Sequence, residues 1–336
     1  MIEGKDLRKI TQFDKKFLIS QIAIVILCVL RVAKWDKNNH AARLMILDDY
    51  SLSIVMTLVM FIALFVMFMI SIKVNDVSNR NKVFYVIMMI SVMLYPTYVH
   101  DNYLGAMDIY GITLGAIVLI MVMINKLEWI SIILMAIGIF INPMCIVSLG
   151  VVVPVLVIYK GFVKKNKKEL IICLCLCVVE VITFFISRKL GMFNLDVVDI
   201  LDYKKLIVIM IFLTPFIFTA VVMFYNMIKK SSNVEGKLYY IISAFVGAPG
   251  FIVWIVSGDY TRAIINLFIC YGLWLIVMMS YKDELLTSQI NEECKIIKKW
   301  VPINGVIVLY VAAIMIYWMC GIEEVDTEVM LELVVK

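Results

Sequence analysis

WISIILMAIGIFINPMCIVSLGVVVPVLVIY, running from Trp129 to Tyr159, is the stretch on which the organisation of this chain turns. It contains no charged side chain. One helix crossing a bilayer needs about 20 apolar residues, so the run is too long for one upright helix and short for two. Pro143 and Pro154 interrupt it. Each removes a backbone donor and constrains the residue before it. Two short helices meeting near Asn142, or a re-entrant hairpin, are therefore expected. Counting the run as a single helix would move every later loop to the other side.

Working outward, apolar runs of the same character occupy 17–33, 53–73, 83–99, 109–125, 129–141, 144–159, 169–187, 206–228, 238–257, 263–281 and 301–320. Hydrophobic residues make up 63% of the 336 and the mean hydropathy is +0.99, whereas soluble domains hold roughly 45–50% apolar residues. The predicted fold class is an all-α polytopic integral membrane bundle of about 11 spans, including a short-helix hairpin near Asn142-Pro143. Its divisions are a cytoplasmic segment at 1–16, the transmembrane bundle at 17–320 and an extracytoplasmic tail at 321–336.

Charge orients the set. Lys5, Arg8, Lys9, Lys15 and Lys16 precede the first apolar run, and with no A-x-A site after it, Phe17 to Val32 reads as a retained signal anchor. With the N-terminus inside, 21 of the 31 Lys and Arg fall in cytoplasmic segments, as the positive-inside rule requires. The cluster Lys164, Lys165, Lys167 and Lys168 supports the hairpin, because it would otherwise lie outside. The net charge of +5 is thus a matter of topology, and no nucleic acid partner is expected. A bacterial cytoplasmic membrane is the expected location. The segment Lys282 to Trp300 reads as an amphipathic surface helix.

Seven of the eight cysteines lie in apolar runs, and only Cys294 sits in a polar stretch. Buried cysteine usually behaves as a small hydrophobe, so neither a disulfide nor a metal site is expected, and no cofactor is indicated. No Walker loop, G-x-G-x-x-G or serine elbow occurs, which removes support for ATP-driven work and serine hydrolysis.

The polar residues that remain are few. Asp48-Asp49-Tyr50 closes the first outer loop. Adjacent carboxylates there suit a general base, metal ligands, or a pair whose repulsion raises one pKa, and they also suit a helix cap. His100-Asp101-Asn102 and Asp108 flank the next outer turn among Tyr95, Tyr98, Tyr103 and Tyr110. They form a group able to hold a sugar or a metal, or simply a polar turn. Gly258-Asp259-Tyr260-Thr261-Arg262 joins two later spans. Its arginine suits a phosphate head group or a local pair with Asp259. Glu180 lies in mid-span, where acids are functional candidates by default, or are hydrogen-bonded between helices.

In these residues the chain resembles the GT-C superfamily of polytopic glycosyltransferases. Asp48-Asp49-Tyr50 matches the acidic motif of that family in place and type, the short helices around Asn142-Pro143 fit its outline, and Asp259-Tyr260-Thr261-Arg262 is similar to a D-aromatic-x-R step in bacterial members. The resemblance implies an inverting transferase that moves a sugar from a polyprenyl-phosphate donor to a cell-envelope glycan or lipid at the outer face. It makes Asp48 or Asp49 the general base and sets Arg262 against the donor phosphate. The first outer loop is short for the family, and no large outer domain follows the last span. The rival readings are a transporter or flippase for a lipid-linked or anionic solute, and a non-catalytic subunit of a larger membrane assembly.

Overall fold

The computed structural model describes residues 50–74, 108–124, 128–142, 145–146, 149–191, 203–257 and 260–290. Among the described residues all regular structure is helical. The helices are α1 (Tyr50–Val74), α2 (Asp108–Ile124), α3 (Glu128–Ile141), α4 (Leu149–Ile158), α5 (Lys167–Lys189), α6 (Tyr203–Lys230), α7 (Val234–Ala244), α8 (Ala248–Val256) and α9 (Tyr260–Ser280). A π-helical turn, Tyr159–Val163, extends α4, and residues 284–290 are helical again. The expected spans at 17–33, 83–99 and 301–320 lie outside the described residues.

The Trp129–Tyr159 stretch forms two helices. At 1.5 Å per residue, the 14 residues of α3 reach only about 21 Å. Asn142 and Cys145 then form a tight turn, with the Asn142 N–H bonded to the Gly138 carbonyl and the Cys145 N–H to that of Asn142, both at 2.9 Å. This turn sits against the start of α2. A Cβ on Gly111 would lie 1.7 Å from Cys145 Sγ, and one on Gly115 would lie 2.0 Å from Leu149 Cδ1. Two glycines one helical turn apart thus let the returning chain approach the α2 backbone, the logic of small residues at helix crossings in membranes. α4 runs back beside α2, and eight of its ten residues are buried. An element apolar all round belongs in the interior of a bundle, and α4 occupies it.

Direction follows from a few long-range bonds. Near the C-terminus of α1, Ser71 Oγ donates to the Ile276 carbonyl near the end of α9 at 2.8 Å. Lys160, just past α4, donates to the Val122 carbonyl near the end of α2, while Tyr159 stacks on Tyr281 just past α9. The C-termini of α1, α2, α4 and α9 therefore share one end. That end also collects the exposed Lys164, Lys165, Lys167, Lys168, Lys229, Lys230, Lys237 and Lys282. We call it the lysine-rich end.

Among the described residues two helical segments, Lys167–Lys189 and Val234–Val256, are long and apolar enough to cross a membrane. The second covers the span expected at 238–257 and breaks at 245–247 between α7 and α8. The break has a physical cause. Pro249 sits in the first turn of α8, where its missing N–H costs nothing. Gly247 lies so close to α9 that a Cβ would meet Leu267 and Tyr271 at 2.9 Å. The Tyr271 hydroxyl donates to the Ala244 carbonyl that the break releases. The expected amphipathic surface helix at 282–300 is described only at its start. Residues 284–290 pack inward, with Leu286 and Ile290 in the main apolar core. Residues 291–300 lie outside the described residues.

Candidate functional site

Asp48, Asp49, His100, Asp101, Asn102 and Asp259 lie outside the described residues. Asp108 is the first residue of α2 and Arg262 the third of α9. α1 begins at Tyr50, directly after the acid pair. The structure thus brings together three helices that open on these motifs. α1 packs on α2, and α9 packs on both. Since their C-termini meet at the lysine-rich end, the three run parallel and begin away from it. Parallel helix N-termini concentrate unpaired N–H groups and positive dipole ends, an arrangement that favours acidic caps and anionic ligands alike.

At the lysine-rich end the polar groups bond to one another. The Asp283 carboxylate accepts from the Tyr159 hydroxyl at 2.9 Å, from the Tyr240 hydroxyl at 2.8 and 2.9 Å, and from the Leu286 N–H at 2.8 Å. The last bond is an N-cap on the helix at 284–290. Trp274 Nε1 donates to the Tyr239 hydroxyl at 3.1 Å. Tyr159 and Tyr281 stack with centroids 5.4 Å apart, and Lys160 Nζ lies 5.3 Å from the Tyr281 ring centre. Three lysine-bearing turns, 159–168, 231–240 and 281–283, are tied by this cluster. Asp283 is buried, and so are Tyr159, Tyr239 and Tyr240, so the cluster is scaffolding. Sequence reasoning missed it, although a tyrosine at the border of each apolar run beside a lysine loop was its signal.

Glu180 is the third polar feature. It is only 3% exposed and lies on the buried stripe of α5 with Ile172, Cys173 and Leu176. Its Oε1 has no hydrogen-bond partner. Among the described residues, no group of three or more His, Cys, Asp or Glu could hold a metal ion, and Cys145, Cys173, Cys175, Cys177 and Cys270 form no disulfide. Cys173 Sγ lies 3.6 Å from the Pro154 carbonyl, a contact that helps seat α5 on α4.

No known protein family, curated protein or solved structure matches the chain.

Proposed function

We propose that this chain is an integral membrane protein, and that it transfers a sugar from a polyprenyl-phosphate donor to a cell-envelope glycan or lipid at the face opposite its lysine-rich end. The bilayer part is supported by the two sides of α5. Its buried stripe carries Glu169, Cys173 and Glu180. Its exposed stripe carries Ile171, Leu174, Val178, Val181, Ile182 and Phe185, each 48–66% exposed. Soluble proteins rarely leave so continuous an apolar surface uncovered, whereas acids in a bilayer-embedded helix face the bundle interior.

The transferase part is supported by one observation, the packing of α1, α2 and α9 as parallel helices whose first residues follow or belong to the Asp48-Asp49, Asp108 and Asp259–Arg262 motifs in sequence. In this reading Asp48 or Asp49 takes the proton of an acceptor hydroxyl as its oxygen attacks the anomeric carbon. The polyprenyl phosphate departs with the electrons of the broken C–O bond and inverts that carbon. Arg262 meets the departing phosphate with a bidentate fork that lysine lacks. His100, Asp101, Asn102, Asp108 and Asp259 hold the sugar and acceptor.

The test is transfer in membranes supplied with radiolabelled polyprenyl-phosphate sugars. Asp48→Asn or Asp49→Asn should lower transfer about 10²-fold or more, the scale of lost general-base catalysis. Arg262→Lys should weaken donor binding. Full activity in both Asn variants would remove the catalytic assignment. A second reading, transport of a lipid-linked or anionic solute, is favoured by the buried, unpartnered Glu180. It predicts donor movement between leaflets without transfer.

A further inference from the structure

We propose that Glu180 is a proton-binding site in the interior of the bundle, occupied at neutral pH. The residue stands 13 positions after Lys167 and 9 before Lys189. At 1.5 Å per residue it is about 20 Å and 14 Å from the ends of α5. Both routes to water run along a helix whose other face is apolar.

The surroundings decide the charge state. α5 packs against α3, α4 and the π turn. From α4 comes no titratable side chain, and from α3 only Glu128, at its first residue. The π turn offers Tyr159 and Lys160, but Tyr159 bonds to Asp283 and Lys160 to the Val122 carbonyl. On α5 itself the stripe brings Cys173 and Cys177, seven and three residues before Glu180, with Glu169 a further turn toward the lysine-rich end. None of these is a cation facing Glu180. A lone carboxylate in apolar surroundings loses its hydration with nothing to replace it, and such a group takes up a proton instead. An interhelical hydrogen bond would explain a buried glutamate without a proton site, but Oε1 has no partner.

A buried carboxylic acid has a characteristic reactivity. Its O–H adds across a C=N bond of an apolar carbodiimide. The acid oxygen bonds to the central carbon and the proton passes to nitrogen. Acyl migration to nitrogen then leaves a stable N-acylurea with no leaving group. An ionised carboxylate lacks the proton this addition requires.

The test uses full-length protein in lipid nanodiscs at neutral pH, treated with dicyclohexylcarbodiimide and mapped by peptide mass spectrometry. The adduct should sit on Glu180, be absent from Glu180→Gln and persist in Cys177→Ser. It should be lost when wild type is unfolded at the same pH, where an ordinary glutamate, with pKa about 4.3, is ionised. Infrared spectra supply a measurement that needs no reagent access, a protonated-acid C=O stretch present in wild type and missing in Glu180→Gln. Absence of both the adduct and the stretch overturns the proposal, as does equal labelling of folded and unfolded chains. The proposal rests on the bilayer reading and not on the transferase. An active transferase with an ionised Glu180 would sink this inference alone.

Discussion

The two ends of the bundle are built on opposite plans. At the lysine-rich end, Asp283, Tyr159, Tyr240 and the Leu286 N–H satisfy one another, and rings fill the space between three turns. At the far end, α2 meets Cys145 and Leu149 through bare backbone at Gly111 and Gly115, and α1, α2 and α9 open next to charged residues in the sequence. A polar cluster whose carboxylate is met by two phenols and a backbone N–H holds a fold, because removing one member strands the rest, although the Tyr281 hydroxyl beside it has no partner. Helix starts with acids beside them keep dipole and charge available for a ligand. In the proposed reading the chain separates holding from acting, one at each end of the bundle.

The comparison breaks most sharply on topology, where the effect is all or none. Single cysteines at Asn38 and Val325 should react with an impermeant thiol reagent added outside intact cells, while those at Asn79 and Asn166 should not. Labelling of Asn166 from outside would put the lysine-rich end on the wrong side of the membrane.

Next in size is the scaffold. Asp283→Ala strands two phenol donors and uncaps a helix. It should cost about 3 kcal/mol, the upper range for hydrogen bonds to a charged group. The buried thiols of Cys173 and Cys270 are built-in reporters, since a maleimide dye should reach them at a lower temperature in the variant. Transfer measured below that temperature should persist, and its complete loss in a still-folded Asp283→Ala protein would erase the division between the two ends.

Gly111→Val probes the far end. The new side chain collides with Cys145 Sγ, and overpacking of this kind costs typically 1–3 kcal/mol. A Gly111→Val/Cys145→Ala double variant should recover part of the loss, which a general weakening of α2 would not allow.

The smallest effect is expected from Tyr240→Phe, which removes one hydroxyl and keeps the ring. About 1 kcal/mol is the usual worth of such a bond, read by the same dye. A Tyr159→Phe/Tyr240→Phe pair should depart from additivity, because both donors serve the one Asp283 carboxylate.

Several elements were legible before any coordinates. The α5 span expected at 169–187 is observed at Lys167–Lys189, with Asn166 as its N-cap through the Lys168 N–H at 3.1 Å. The two helices around Asn142 were legible as well, since proline and run length both act locally. Other features were not. The break at 245–247 depends on Tyr271 and Leu267 meeting Gly247 from another helix, and the apolar run from Leu238 to Val256 conceals it. The inward packing of Leu286 and Ile290 depends on Asp283 being held by two distant tyrosines, which no periodicity within 282–300 records.

By itself the sequence determined that the chain is helical and where most apolar segments begin and end, because run length, prolines and lysines act through local backbone chemistry and through transfer from water. Only the tertiary structure decided which segments meet. It set α1, α2 and α9 in parallel, tied Asp283 to tyrosines 43 and 124 residues away, and left Glu180 on the buried stripe of α5 without a partner for Oε1. Those outcomes depend on contacts between residues far apart in the chain, and a period of 3.6 residues carries no information about which distant helix will face a given stripe.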